Sequence, residues 1–214
     1  MVKKVIWISS FLPRSCGIAY YSNHYITALK NYAKKAEIEV NFKIIAHTDA
    51  KQADYPIISQ GDKNWHHKVL AVIKKEKPDI VHIQHEYGLY ETHNDQNRRV
   101  IELINMIKEE GIPVVMTYHS VYKKLIKPFA KFVDKSLKEL NAGIFHEEYQ
   151  KQALKNNIGK IPKNVYVLPH GSREDINSKI NREEASKVFG YSDLVLIVGV
   201  AGIASENIGF CSLL

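Results

Sequence analysis

The chain has 214 residues, 45% of them hydrophobic and 25% charged, with a formal net charge of +7. That is enough to bury one core and part of a second, and it is the balance of an ordinary globular protein rather than a disordered or fibrous one. No run reaches the ~20 apolar residues of a membrane span, no signal peptide is expected at the N-terminus, and Cys16 and Cys211 are too far apart for metal-type spacing, so a reduced, cytoplasmic setting is expected. The basic balance implies an anionic partner without saying which.

In chain order, Val5 to Ile8 is a continuous apolar run, predicting a strand buried on both faces. A loop from Ser9 to Cys16 follows, then Gly17 and an amphipathic helix over Ile18 to Leu29. Val40 to Ala46 predicts a second strand, and His47 to Lys63 a polar loop with an apolar island at Ile57 and Ile58. Trp65 to Lys75 predicts a helix, Ile80 to Gln84 a strand, and His85 onward a polar loop through Gly88. Arg98 to Glu110 predicts a helix stopped by Gly111, and Pro113 to Thr117 a buried strand. Tyr122 to Leu140 is a basic amphipathic stretch, with Leu125, Phe129, Phe132, Val133, Leu137 and Leu140 on one stripe and Lys123, Lys127, Lys131 and Lys135 on another. Pro128 fits a first turn, so this helix should start near Lys127; it is either a packed helix with a solvated lysine face or one that lies on an anionic membrane. Strands over Asn141 to Phe145, Val165 to Leu168 and Leu194 to Val198 alternate with helices over Glu147 to Asn156 and Glu183 to Phe189.

Strands alternating with helices predict an α/β fold: a Rossmann-like, mostly parallel sheet with helices on both faces. Ser10 to Gly17, His85 to Gly88, His119–Ser120 and His170–Gly171 each follow a strand, so all should gather along one edge of that sheet. In such sheets the carboxyl ends of the strands face the ligand crevice. Gly17 there is either a close-approach point for an anion or sugar at a helix start, or relief for a tight turn. His119 is either an acid–base or hydrogen-bonding imidazole or the cap of a strand end. His170 and Gly171 either bring backbone against a ligand or only end the sheet. His82, His85, Glu86 and His93 do not make a metal site, because residues 82 and 85 point to opposite faces of a strand. Nucleic acid is not an expected partner, since no stacking aromatics interleave the basic run.

Taken together, FLPRSCGIAYYS (Phe11–Ser22), PDIVHIQHEYGLY (Pro78–Tyr90), PVVMTYHS (Pro113–Ser120), VYVLPHG (Val165–Gly171) and LVLIVGVAGIASENIGF (Leu194–Phe210) resemble the retaining glycosyltransferases of family four, which have the GT-B fold of two facing Rossmann-like domains. The resemblance implies sugar transfer from a nucleotide-sugar to a glycan or lipid acceptor, hexosyl- or mannosyltransferase-like, with no metal and no cofactor beyond the donor substrate. It implies that His119 contacts the donor sugar and supports transfer. It places the loop of Arg14, Gly17 and Ile18 near the donor diphosphate and the acceptor, and His85, Glu86, Tyr87 and Gly88 on the acceptor side. Ser120, His170 and Gly171 complete the substrate-binding candidates.

On this reading residues 1–172 are the acceptor-side domain, and residues 173–214 are a linker helix and the opening strand and turn of an incomplete nucleotide-sugar-binding domain. Gly202 and Gly209 fit the glycine-rich turn of that second domain, but Ile208 stands where the family typically has a lysine on the donor phosphates, and the paired-glutamate motif is absent. The chain alone is then expected to be inactive or weak, with the apolar 194–214 tail packing on the first domain, on a second copy or on a partner chain. Two other classes remain: a non-catalytic sugar- or acceptor-binding or regulatory module, and one subunit of a split transferase.

Overall fold

The structure is a computed structural model that describes residues 2–91, 97–171 and 181–190. The chain divides into two compact units, Met1–His170 and Gly171–Leu214. The first unit holds strands β1 (Lys3–Ile8), β2 (Val40–His47), β3 (Tyr55–Ile58), β4 (Ile80–His85), β5 (Val114–Tyr118), β6 (Ala142–Phe145) and β7 (Val165–Val167). Its helices are α1 (Gly17–Lys35), α2 (Trp65–Glu76), α3 (Arg98–Glu109), α4 (Lys127–Glu139) and α5 (Glu148–Ile158). In the second unit the described element is α6 (Arg182–Phe189), whose N-cap Asn181 and Glu184 make a reciprocal capping box. The reading of residues 194–214 lies outside the described residues.

The seven strands form one sheet in the order β3-β2-β1-β4-β5-β6-β7, and every pairing is parallel. This is the expected α/β fold. Because side chains alternate across a strand, β1 serves two cores. Ile6 and Ile8 join the larger one, with Trp65 and Val69 of α2, Leu103 of α3, Phe132 of α4 and Leu154 of α5. Trp7 faces the other way and packs with Ile26 of α1, Phe42 and Ile44. Burying a side chain of this kind contributes roughly 1.5–3 kcal/mol, which is why the apolar strands and helix stripes were legible.

The chain runs outward from β1 to β2 and β3, then returns to the opposite side of β1 and continues from β4 to β7. Right-handed crossovers place helices on opposite faces for the two directions. In open α/β sheets ligands bind where the order reverses, which here is at the carboxyl ends of β1 and β4.

One element departs from the sequence reading. Tyr55–Ile58 lies within the expected polar loop but forms β3, pairing with β2 at the sheet edge. Four residues interrupted by Pro56 carry little periodicity. What holds them is tertiary: Ile58 is fully buried, and the Tyr55 hydroxyl bonds the Glu76 carboxylate. Helix α1 also runs past Leu29 to Lys35, with Ala33 buried and Lys34 and Lys35 at its negative end. Helix α4 starts at Lys127 with Pro128 in its first turn, Phe132, Val133 and Leu137 buried, and Lys127, Lys131 and Lys135 exposed. No helix among the described residues is long and apolar enough to cross a membrane.

Candidate functional site

Strand register explains how the site is assembled. Gln84 pairs with Thr117, and Thr117 pairs with Ile144. Two residues further on, on the same face of the sheet, His119 and His146 leave their strands side by side, their ring centroids 5.2 Å apart. His170, beyond β7, brings its ring to 4.2 Å from His146 and 6.3 Å from His119. Tyr21, one helical turn after Gly17 on α1, sets its ring edge-on against all three, at 4.8 Å from His119, 5.3 Å from His146 and 4.8 Å from His170. The start of α1 and the ends of β5, β6 and β7 are therefore one neighbourhood.

His119 is part-buried and held on two sides. Its Nε2–H donates to Oε1 of Gln84 at 3.0 Å, which leaves Nδ1 with the lone pair, and its carbonyl accepts from Nε2 of Gln150 at 3.1 Å. Its backbone N–H donates to the His85 carbonyl at 3.0 Å. Burial, with His146 and His170 nearby, pushes its pKa down to about 3, so the ring is neutral near pH 7. His146 is 7% exposed and donates Nδ1–H to the Leu168 carbonyl at 3.1 Å. Burial lowers its pKa, against the Leu168 hydrogen bond, which raises it.

The loop after β4 forms the next wall. Ser120 donates to Oε2 of Glu86 at 2.5 Å, and the Tyr87 N–H donates to Oε1 at 2.8 Å. Burial raises the Glu86 pKa, while those two bonds pull it down. Gly88, at φ 79°, turns the chain back, and its carbonyl accepts from Gln60. Tyr90 is fully buried, and its hydroxyl lies 3.0 Å from the Ile8 carbonyl and 2.7 Å from the Gln84 carbonyl, tying the loop to the ends of β1 and β4.

His85 goes elsewhere. Its ring is 1% exposed and stacks on Phe132 at 4.5 Å, on the opposite face of the sheet from His82, which packs on Trp7 at 4.4 Å. Only the His85 backbone reaches the site, so its side chain is a core group rather than a ligand contact. Tyr87 likewise stacks on Phe129 at 4.1 Å.

At the first loop, Arg14 is paired with Asp49 at 3.2 Å, and Ile18 is half-buried beside the larger core. Gly17 opens α1 behind Cys16, which makes no side-chain cap, and the first turn carries no acidic residue. A Cβ on Gly17 would meet no atom within 4 Å, and its φ lies outside the left-handed region. The tight-turn explanation therefore fails, leaving an open backbone at the positive end of a 19-residue helix. A Cβ on Gly171 meets nothing either.

The sequence reading missed His146, Tyr21 and Gln84. His146 carried the same signal as His119, being the first residue after a strand. Tyr21 lies four residues after Gly17 and so shares its helix face. Gln84 was legible only as a strand residue, and its role follows from the pairing of β4 with β5.

Sheet order, reversal point and histidine-lined carboxyl edge define a Rossmann-like α/β domain whose candidate ligand edge lies at the strand ends. Residues 25–173 match the family model of Glycosyltransferase Family 4, and the chain belongs to that family. The matched stretch includes His119, His146 and His170 and begins after Gly17. No curated protein sequence matches the chain significantly. Similar solved structures include the arabinose-binding protein AraP of Geobacillus stearothermophilus, at 15% identity over 79% of this chain and 56% of that one, with a TM-score of 0.35. The glucose-galactose-binding protein GanP of the same organism is similar at 12% identity over 79% of this chain and 57% of that one, with a TM-score of 0.36. A conserved protein from Enterococcus faecalis V583 is similar at 14% identity over 78% of this chain and 91% of that one, with a TM-score of 0.34. The chain thus spans little more than half the length of the two sugar-binding proteins.

Proposed function

We propose that this chain is the acceptor-side domain of a retaining glycosyltransferase of GT-B architecture, which moves a sugar from a nucleotide-sugar to a glycan or lipid acceptor. The observation that carries this reading is the family match over residues 25–173. The geometry supports it with a neutral, braced imidazole at His119, an uncapped helix start at Gly17 and a carboxyl group at Glu86 along one crevice. In this reading the His119 ring hydrogen-bonds a hydroxyl of the donor sugar. The first turn of α1 offers N–H groups and its positive end to the donor phosphates. Glu86, balanced between burial and its two donors, holds an acceptor hydroxyl. No metal enters the transfer step. A second domain, in this or another polypeptide, supplies the nucleotide-binding wall, because holding two substrates in reacting geometry is most of what such an enzyme contributes.

The test is an assay of sugar release and transfer from a panel of nucleotide-sugars, with this chain and with His119→Ala. Turnover by the chain alone is expected to be very low, and to rise when a donor-binding domain is supplied. Robust turnover by the chain alone, lost in His119→Ala, would keep the site and overturn the need for a second domain. Turnover indifferent to His119→Ala would overturn the site.

A further inference from the structure

We propose that His119, His146 and His170 form a binding site for a divalent ion of the zinc class, which shares His119 with the transfer site but takes no part in the transfer step. One ring nitrogen of each lies within 4.8 Å of the others. His146 is 7% exposed, and its Nε2 is buried with no hydrogen-bond partner among the described residues. Its other nitrogen donates to a backbone carbonyl, Leu168 at 3.1 Å. That outer contact is the one that fixes ring and tautomer in metal-bound histidines. His119 repeats the pattern, its Nε2–H on the Gln84 amide oxygen at 3.0 Å leaving a lone pair on Nδ1. Two of the three rings are thus braced in ligand-ready tautomers, and the third, His170, is exposed at the mouth.

The donor set decides the ion. Three imidazole nitrogens with no carboxylate or thiolate suit Zn²⁺, Co²⁺, Ni²⁺ or Cu²⁺ and do not suit Ca²⁺ or Mg²⁺, which require oxygen. Metal–nitrogen bonds of about 2.1 Å at tetrahedral angles put the nitrogens about 3.4 Å apart, so the rings must close by up to about 1.4 Å. The exposed His170 has the room to move. Three ligands leave a fourth position for water or an added anion. Because the ion takes His119, it competes with the sugar contact proposed above, and Zn²⁺ should inhibit transfer wherever transfer is measured. Binding itself does not depend on that functional reading.

The experiment is calorimetric titration of the full chain with Zn²⁺, and visible absorption with Co²⁺. One ion per chain is expected, with a tetrahedral Co²⁺ band. His146→Gln and His170→Gln should each weaken binding at least about tenfold, while His67→Gln, whose ring neighbours His66 far from this cluster in sequence, should change nothing. Since His146 is buried, the exposed His170 variant carries the test if His146→Gln fails to fold. Absence of saturable binding, or binding that survives His170→Gln, or loss that tracks His67 instead, overturns the proposal.

Discussion

Gly17 illustrates how one residue separates stability from function. Nothing in its backbone angle or surroundings demands glycine, so Gly17→Ala should leave the urea midpoint nearly unchanged, within about 0.5 kcal/mol. If the open backbone serves a ligand, the same change should lower transfer by the complete enzyme at least about tenfold, the signature of a close approach blocked by one methyl. Equal activity in the two proteins would reduce Gly17 to a helix start. The imidazoles give a second expectation. Burial pushes His82, His85 and His119 down to about 3 and lowers His146. Between about pH 3 and the ordinary histidine value near 6.5, the unfolded chain therefore binds more protons than the folded one, so their stability contribution is present above 6.5 and lost as pH falls. His82, His85 and His119 each cost up to about 1.4 kcal/mol per pH unit in that window. Glu86 and Glu91, both raised, act in the opposite sense nearer pH 4.5. The urea midpoint should drop steadily from pH 7 to pH 5, and His85→Phe, placed among Phe132, Tyr87 and Tyr118, should make the slope shallower. A flat profile would contradict the shifts. At this scale the sequence was a partial guide. His119 stood out by following a strand; His146 holds the same position one strand later, and it is the pairing of β5 with β6 that brings the two rings together.

Among the elements, the loop after β4 is the one the crevice depends on. Tyr90 ties it to the Ile8 and Gln84 carbonyls from a fully buried position. Removing that hydroxyl takes away the one proton it shares between these two carbonyls, so Tyr90→Phe should cost about 0.5–1.5 kcal/mol, read from the shift in denaturant midpoint. It should also weaken ligand binding, because Gly88 and Glu86 lie on the same loop. No loss of stability would mean that water replaces the hydroxyl. Helix α4 packs closely on β6: a Cβ on Gly143 would come within 2.5 Å of Leu137 Cδ2. Gly143→Ala should destabilise by about 1 kcal/mol, and Leu137→Ala added to it should cost less than that change costs alone. The elements were legible where an apolar pattern lasted long enough to be periodic, as in β1, β5 and α4. β3 was not, because four edge residues with a proline hold no period, and their pairing with β2 is a long-range fact.

For the molecule as a whole, the reversal of strand order at β1 and β4 turns local motifs into a site. It brings the start of α1, the loop after β4 and the ends of β5, β6 and β7 to one edge. The order of strands and helices along the chain was enough to foresee that gathering; the tight contact of Tyr21 with three histidines was not, since it depends on how α1 lies across the sheet. The most direct measurement is a titration of the isotopically labelled full chain with nucleotide-sugars at millimolar concentration, followed by backbone amide and imidazole nitrogen resonances. The account predicts shifts concentrated at Gly17, Tyr21 and His119, and their loss in His119→Ala. Shifts confined to the opposite edge of the sheet, or none with any donor in the panel, would contradict it.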